Sequence, residues 1–168
     1  MKPFIITLIG EDKPGLLASL ADIVYQHNGN WLASNFALMA GRFAGFAEVH
    51  LPDDKVTAVS ELFSARNDVQ IIMSPGSSEH QPKTKQATFN IIGNDKPGIV
   101  SELSTALTRN GANINRFESR CESAPSAGNT LFKALAFIEV PADFDLDVLV
   151  EAVEQIANDL MIDIESEK

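Results

Sequence analysis

Apolar positions along this chain follow two rhythms, and the order of the rhythms repeats. Phe4 to Ile9 is a short run of apolar and β-branched residues, as a buried strand would show. Leu16, Leu17, Leu20, Ile23 and Val24 then recur at helical spacing up to about His27, where Asn28-Gly29 stops the helix. Trp31 to Met39 and Phe43 to Leu51 alternate as strands about Ala40-Gly41-Arg42, which predicts a hairpin closed by Pro52. Asp53 or Asp54 is placed to cap a second helix with a stripe of Val56, Val59, Leu62 and Phe63, and Val69 to Met73 reads as a last short strand.

The series then begins again. Ala87 to Ile92 is a strand, and Ile99, Val100, Leu103, Ala106 and Leu107 mark a helix stopped by Asn110-Gly111. Asn113 to Cys121 and Thr130 to Val140 form a second hairpin around a loop with Ser123, Pro125, Ser126, Gly128 and Asn129. Leu146, Leu149, Val153, Ile156 and Leu160 trace the next helix, and Met161 to Ile164 the final strand. The expected fold is therefore α+β: two ferredoxin-like βαββαβ modules, each an antiparallel sheet with two helices on one face. Residues 1–75 and 86–168 are the modules, and 76–85 is a polar linker. Phe43 and Phe46 fall on opposite faces of their strand, so one of them must point away from the local core.

The two halves also share one stretch of punctuation, Gly10-Glu11-Asp12-Lys13-Pro14-Gly15 in the first and Gly93-Asn94-Asp95-Lys96-Pro97-Gly98 in the second. Proline has a preset φ and no N–H, which suits the first helical position, so the helices are expected to start close to Pro14 and Pro97. The opening N–H groups of a helix lack intrahelical partners and carry the positive end of its dipole. The turns around Gly15 and Gly98 are thus candidate receptors for a carboxylate, with Asp12 and Asp95 available to a ligand ammonium group. The same residues also suit a purely structural turn, with Asp as a cap and Gly allowing close helix packing.

Charge narrows the possible partners. The 168 residues include 23 Asp and Glu against 13 Lys and Arg, a net charge of -10, which argues against direct contact with nucleic acid backbones. The single cysteine, Cys121, rules out an intrachain disulfide and multi-cysteine metal sites, as expected of a reduced, cytoplasmic, soluble protein. There is no secretory leader pattern and no run long enough for a membrane span. His27, His50 and His80 form no ligand pair, the glycine turns lack the endings of nucleotide-binding loops, and no catalytic constellation is evident. No enzyme activity, cofactor or metal is expected. Trp31 is expected near the mouth of the first module, as a packing residue between modules or as a ligand-facing one. Glu151, Glu154 and Asp159 read as the solvated face of the last helix.

The strand ending in Gly-x-Asp-Lys-Pro-Gly-[Leu/Ile], followed by Asn-Gly-x-Asn-Ile, resembles the ACT domain, a regulatory module that commonly binds amino acids. The second copy matches through Gly93, Asp95, Lys96, Pro97, Gly98, Ile99, Asn110, Gly111, Asn113 and Ile114. The first copy puts Trp31 where the pattern has Asn and has a helix about one residue longer. The resemblance implies a ligand site drawn from Asp12, Gly15, Leu16, Asn94, Asp95, Gly98, Ile99, Asn113 and Ile114. Two copies with no catalytic or DNA-reading domain beside them are similar to the tandem-ACT regulators of glycine cleavage operons. That likeness also draws on the stretch from Asn115 to Arg120. It implies a non-enzymatic regulator that senses glycine or a related small amino acid, acts through a DNA-binding protein partner and forms homo-oligomers. A detached regulatory subunit of a metabolic enzyme, or a ligand-independent scaffold, would present the same pattern.

Overall fold

In the computed structural model the chain divides into two units, Met1–His80 and Gln81–Lys168. The structure describes residues 1–77, 84–123, 130–156 and 160–166; His80, Asp159 and the loop with Pro125, Ser126, Gly128 and Asn129 lie outside them. The first unit comprises β1 (Lys2–Glu11), α1 (Leu16–Gln26), β2 (Asn30–Met39), β3 (Arg42–Leu51), α2 (Val56–Ser64) and β4 (Val69–Pro75). The second comprises β5 (Thr84–Asn94), α3 (Ile99–Arg109), β6 (Asn113–Ser123), β7 (Thr130–Pro141), α4 (Asp147–Glu154) and β8 (Met161–Ser166). Both are βαββαβ, with antiparallel sheets in the orders β2-β3-β1-β4 and β6-β7-β5-β8. Several strands run past the limits of their apolar runs, because ladder bonding continues through polar residues. β4 takes in Ser74 and Pro75, and β5 begins at Thr84.

Each sheet buries one face against its helices. In the first unit Phe4, Ile6 and Leu8 of β1 and Val49 and Leu51 of β3 meet Leu16, Leu20 and Val24 of α1 and Val59 and Phe63 of α2. In the second, Phe89 and Ile91 of β5 and the alternate residues Phe132 to Val140 of β7 meet Leu103 and Leu107 of α3 and Leu149 and Val153 of α4. The helical stripes are narrower than the sequence pattern implies. Leu17, Leu62 and Val100 are exposed, since each lies one position off the contact line of a two-layer fold. Neither Asp53 nor Asp54 caps α2. They pair at 2.9 Å with Lys2 and Lys55 respectively, and Lys55 holds the N-cap position without a side-chain bond.

The two modules keep step from the first strand into the second. α1 and α3 both span 11 residues, His27 and Asn110 end them, and Asn28 (φ 56°) and Gly111 (φ 85°) supply the left-handed residue that follows. Asn30 opens β2 opposite His50 just as Asn113 opens β6 opposite Glu139, and a bulge follows each. The counterpart of Asn113 is therefore Asn30, not Trp31, and neither helix is longer. Asn28 misleads because it occupies the left-handed position usually given to glycine. Trp31 pairs with Val49 at the end of the sheet away from the β1–α1 turn. It forms an aromatic row with Phe36 and Phe43 that packs on the core. The first hairpin turns at Ala40 and Gly41, both with positive φ as a type I′ turn requires.

Candidate functional site

The duplicated turn has the same geometry twice. Leu16 N–H donates to the Lys13 carbonyl at 3.1 Å, and Ile99 N–H donates to that of Lys96 at 3.3 Å. Gly15 (φ 82°, ψ 0°) and Gly98 (φ 87°, ψ -1°) lie in the left-handed region. A proline followed by such a glycine inside that hydrogen bond is a type II β-turn. Pro14 and Pro97 accordingly occupy the turn, not the first helical position, and the helices begin at Leu16 and Ile99. The glycines are required by φ and not by packing, because a Cβ at either would meet nothing within 4 Å.

No side chain caps α1 or α3, so Asp12 and Asp95 are not N-caps. Asp12, Gly15, Asn94, Asp95 and Gly98 are exposed, whereas Leu16 and Ile99 are buried core residues. The Asp95 carboxylate faces Cys121 on the edge strand β6. Partial burial and that carboxylate raise the thiol pKa, the opposite of what activates a nucleophile. Asn113 and Ile114 lie elsewhere in the same module. Asn94 pairs with Leu131 at the turn end of the sheet, while Asn113 pairs with Glu139, which in turn faces Gln86 near the start of β5. Eight residues of strand separate those ends, roughly 27 Å. Asn113 is exposed and Ile114 packs against the core.

The elements around the two turns are tied together by different means. Lys96 binds the Ile156 carbonyl at 3.2 Å and Glu102 at 2.6 Å, which ties the second turn to the end of α4 and the first turn of α3. In the first module Arg66 grips Asp68 with two bonds of 2.7 Å and donates to the Ser19 hydroxyl at 3.0 Å, linking α1 to the loop before β4. The guanidinium holds the Asp68 carboxyl down to about 2, helped by the charge of Lys13 in the adjacent turn. Arg66 and Asp68 line a groove of about 780 Å³ with Ile9, Gly10, Arg42 and Asn67. Sequence reasoning missed this clamp, although Arg66-Asn67-Asp68 carries the two-residue spacing that puts an ion pair on one side of an extended segment.

The remaining polar groups are arranged structurally. His27 Nδ1 lies 2.8 Å from the Ile23 carbonyl at the end of α1, and His50 lies 3.2 Å from Glu48. Glu139, only 9% exposed, accepts hydrogen bonds from Thr84 and Asn115, whose donors hold its pKa below the usual carboxylate value. Among the described residues no cluster of His, Cys, Asp or Glu could hold a metal ion, and no helix is long and apolar enough to cross a membrane.

Comparison with known proteins follows the same division. The ACT domain family matches residues 2–74 and again residues 87–158. The crystal structure of an unknown protein from Galdieria sulphuraria superposes with a TM-score of 0.84 at 26% identity over 99% of both chains. A proposed glycine cleavage system transcriptional repressor superposes with a TM-score of 0.68 at 17% identity, over 99% of this chain and 98% of its own. No curated protein matches in sequence. The strand order, the paired type II turns and the two family matches agree: the chain belongs to the ACT family, as two ACT domains in tandem.

Proposed function

We propose that this protein is a non-enzymatic regulator that responds to a small amino acid, with glycine the favoured ligand, and controls glycine cleavage gene expression through a DNA-binding protein partner. The observation that carries this reading is the duplicated type II turn, whose exposed Asp has no capping role and whose exposed Gly has no packing role. ACT domains commonly regulate by binding amino acids, and the likeness to a proposed repressor over nearly its whole length supports the direction of the inference. The net charge of -10 favours an indirect route to DNA.

The ligand carboxylate would meet the N–H groups beside Gly15 or Gly98 that the turn bond leaves over, and its ammonium would meet Asp12 or Asp95. Asn113 lies too far from its own module's turn to join that contact, so a site using both takes them from different modules. Ligand binding regulates only if it favours one arrangement of modules or partner contacts over another.

Thermal unfolding against a panel of amino acids tests this reading. At a hundred times its dissociation constant a ligand adds about 2.7 kcal/mol to the native state, a shift of several degrees for domains of this size. Glycine should produce that shift and Asp95→Ala should diminish it without lowering the unliganded melting temperature. No stabilisation by any amino acid at millimolar concentration would refute ligand sensing by this chain.

A further inference from the structure

The face of the first sheet turned away from its helices is uncharged through its middle, where Asn35 and Thr7 are the polar residues beside Phe46. β1 presents Ile5, Thr7 and Ile9 there, β3 presents Ala44 and Phe46, and β4 presents Ile72; Phe46 is 55% exposed and Ile72 56%. Charge stands at the two ends of this face, on β3 and at the end of β1, where Glu11 pairs with Arg42 across the ladder. Glu48 stands at one end, paired only with His50, and Arg42 stands at the other with no ion-pair partner among the described residues. Glu11 beside it is itself paired with Lys13 at 3.7 Å.

These positions are symmetric about one residue. Gly45 lies midway between Ala44 and Phe46 and midway between Arg42 and Glu48, and all four side chains share the outer face. A two-fold axis in the plane of the interface, across the strands at Gly45, reverses strand direction while keeping β3 over β3. It sets Phe46 against the partner subunit's Ala44, large against small, and Arg42 against the partner subunit's Glu48. We propose that this face pairs with the same face of a second copy of the chain, as two aligned sheets packed through Phe46 and framed by two Arg42–Glu48 ion pairs. Shape at the centre and charge along β3 are met by one operation.

Four strands about 4.8 Å apart, over about seven residues at ~3.4 Å, give a flat footprint of roughly 450 Å², near the small end of specific interfaces. The dimer should therefore exchange with monomer in the micromolar range.

Sedimentation of the full chain up to about 200 μM is the test. The wild type should move from one 18.2 kDa chain toward two as concentration rises. Phe46→Glu should raise the dissociation constant by ~100-fold or more, because it would bury an unpaired carboxylate. Arg42→Glu should weaken pairing about tenfold, and Arg42→Glu with Glu48→Arg should restore it. Leu135→Glu, at the equivalent place on the second sheet, should leave pairing unchanged. Circular dichroism checks the folding of each variant, since Arg42 and Phe46 are exposed but Glu48 and Leu135 are half-buried. A wild type that stays monomeric, a dimer indifferent to Phe46→Glu, or a charge swap that fails to restore pairing would overturn the proposal.

Discussion

Where the first sheet sets Phe46 beside Thr7 on its outer face, the second sets Leu135 beside Asn90; where the first has Ala44 and Ile9, the second has Lys133 and Ile92. The contrast deepens toward the edge strands. β2 contributes Ala33, Asn35 and Ala37 to the first outer face, while β6 contributes Arg116, Glu118, Arg120 and Glu122 to the second. Those charges are matched within the face. Arg116 donates to Glu118 at 2.7 Å and lies 4.9 Å from the centre of the Phe137 ring, and Glu122 takes up both Arg120 and Lys133. One fold with one strand order thus presents a face with unspent apolar surface and a face whose polar groups are already satisfied. A shared family fold sets where residues stand, and only their identities decide what each face can recognise.

The inner faces differ too, and there the difference can be broken with the largest effect. Gly45 pairs with Phe36 in the first sheet, whereas Ala134 pairs with Ser119 at the same place in the second. A Cβ at Gly45 would overlap the Asn35 carbonyl oxygen and the Phe36 ring. The β2 backbone comes closest to that point, and the Phe36 ring, stacked on Phe43, takes up the space beside it. Gly45→Ala should destabilise the first module by about 1–3 kcal/mol, as overpacking does, read as a fall in the urea midpoint. Phe36→Ser added to Gly45→Ala should recover part of that loss by recreating the second module's pair. A neutral Gly45→Ala would mean that the two inner faces are interchangeable at this point.

Much of this was legible in the sequence, for identifiable reasons. The element order, the hairpins and one outward phenylalanine follow from period and turn chemistry, because a two-sided sheet enforces alternation strictly. The narrow helical stripes did not follow, since Leu17, Leu62 and Val100 satisfy helical spacing and yet miss the sheet. Pro14 was misplaced by its general preference for the first helical position, which loses here to the type II turn that Gly15 makes possible. The candidate site was legible as a motif and not as a geometry. Asn113 stands at the far end of its sheet from Asp95 because α3 carries the chain back along the sheet before β6 begins, a consequence of the element order that the motif alone does not display.

The clamps beside the two turns sharpen the comparison through pH. Asp68 is held at about 2 by Arg66, below its ordinary value near 3.9. A carboxyl depressed in the folded state contributes stability that is whole above its unfolded value and is lost as pH falls through the folded one. The Asp68 contribution should therefore be complete above about pH 5 and fade between about 4 and 2. Asp68→Asn should lower the urea midpoint at pH 6 and converge with the wild type near pH 2. In the second module the corresponding turn rests on a lysine bound partly to a backbone carbonyl, which does not titrate. A parallel offset of the two curves at all pH values would assign the Asp68 effect to packing and not to charge.

The smallest effect is expected where the charges are most numerous. Glu122 is bound to Lys133 and Arg120, and these partners lower its pKa, but all three side chains stay in contact with water. Exposed ion pairs gain little over their hydrated separated forms and are screened by salt. Glu122→Gln should leave the urea midpoint within experimental error at physiological salt and lower it only slightly when salt is removed. The ladder of Arg116, Glu118, Arg120 and Glu122 would then contribute little to stability. Any partner covering that face must strip water from groups that are already paired, at a cost the apolar face of the first module does not impose. A midpoint that falls clearly in Glu122→Gln would show that the second module depends on its outer charges in a way the first does not.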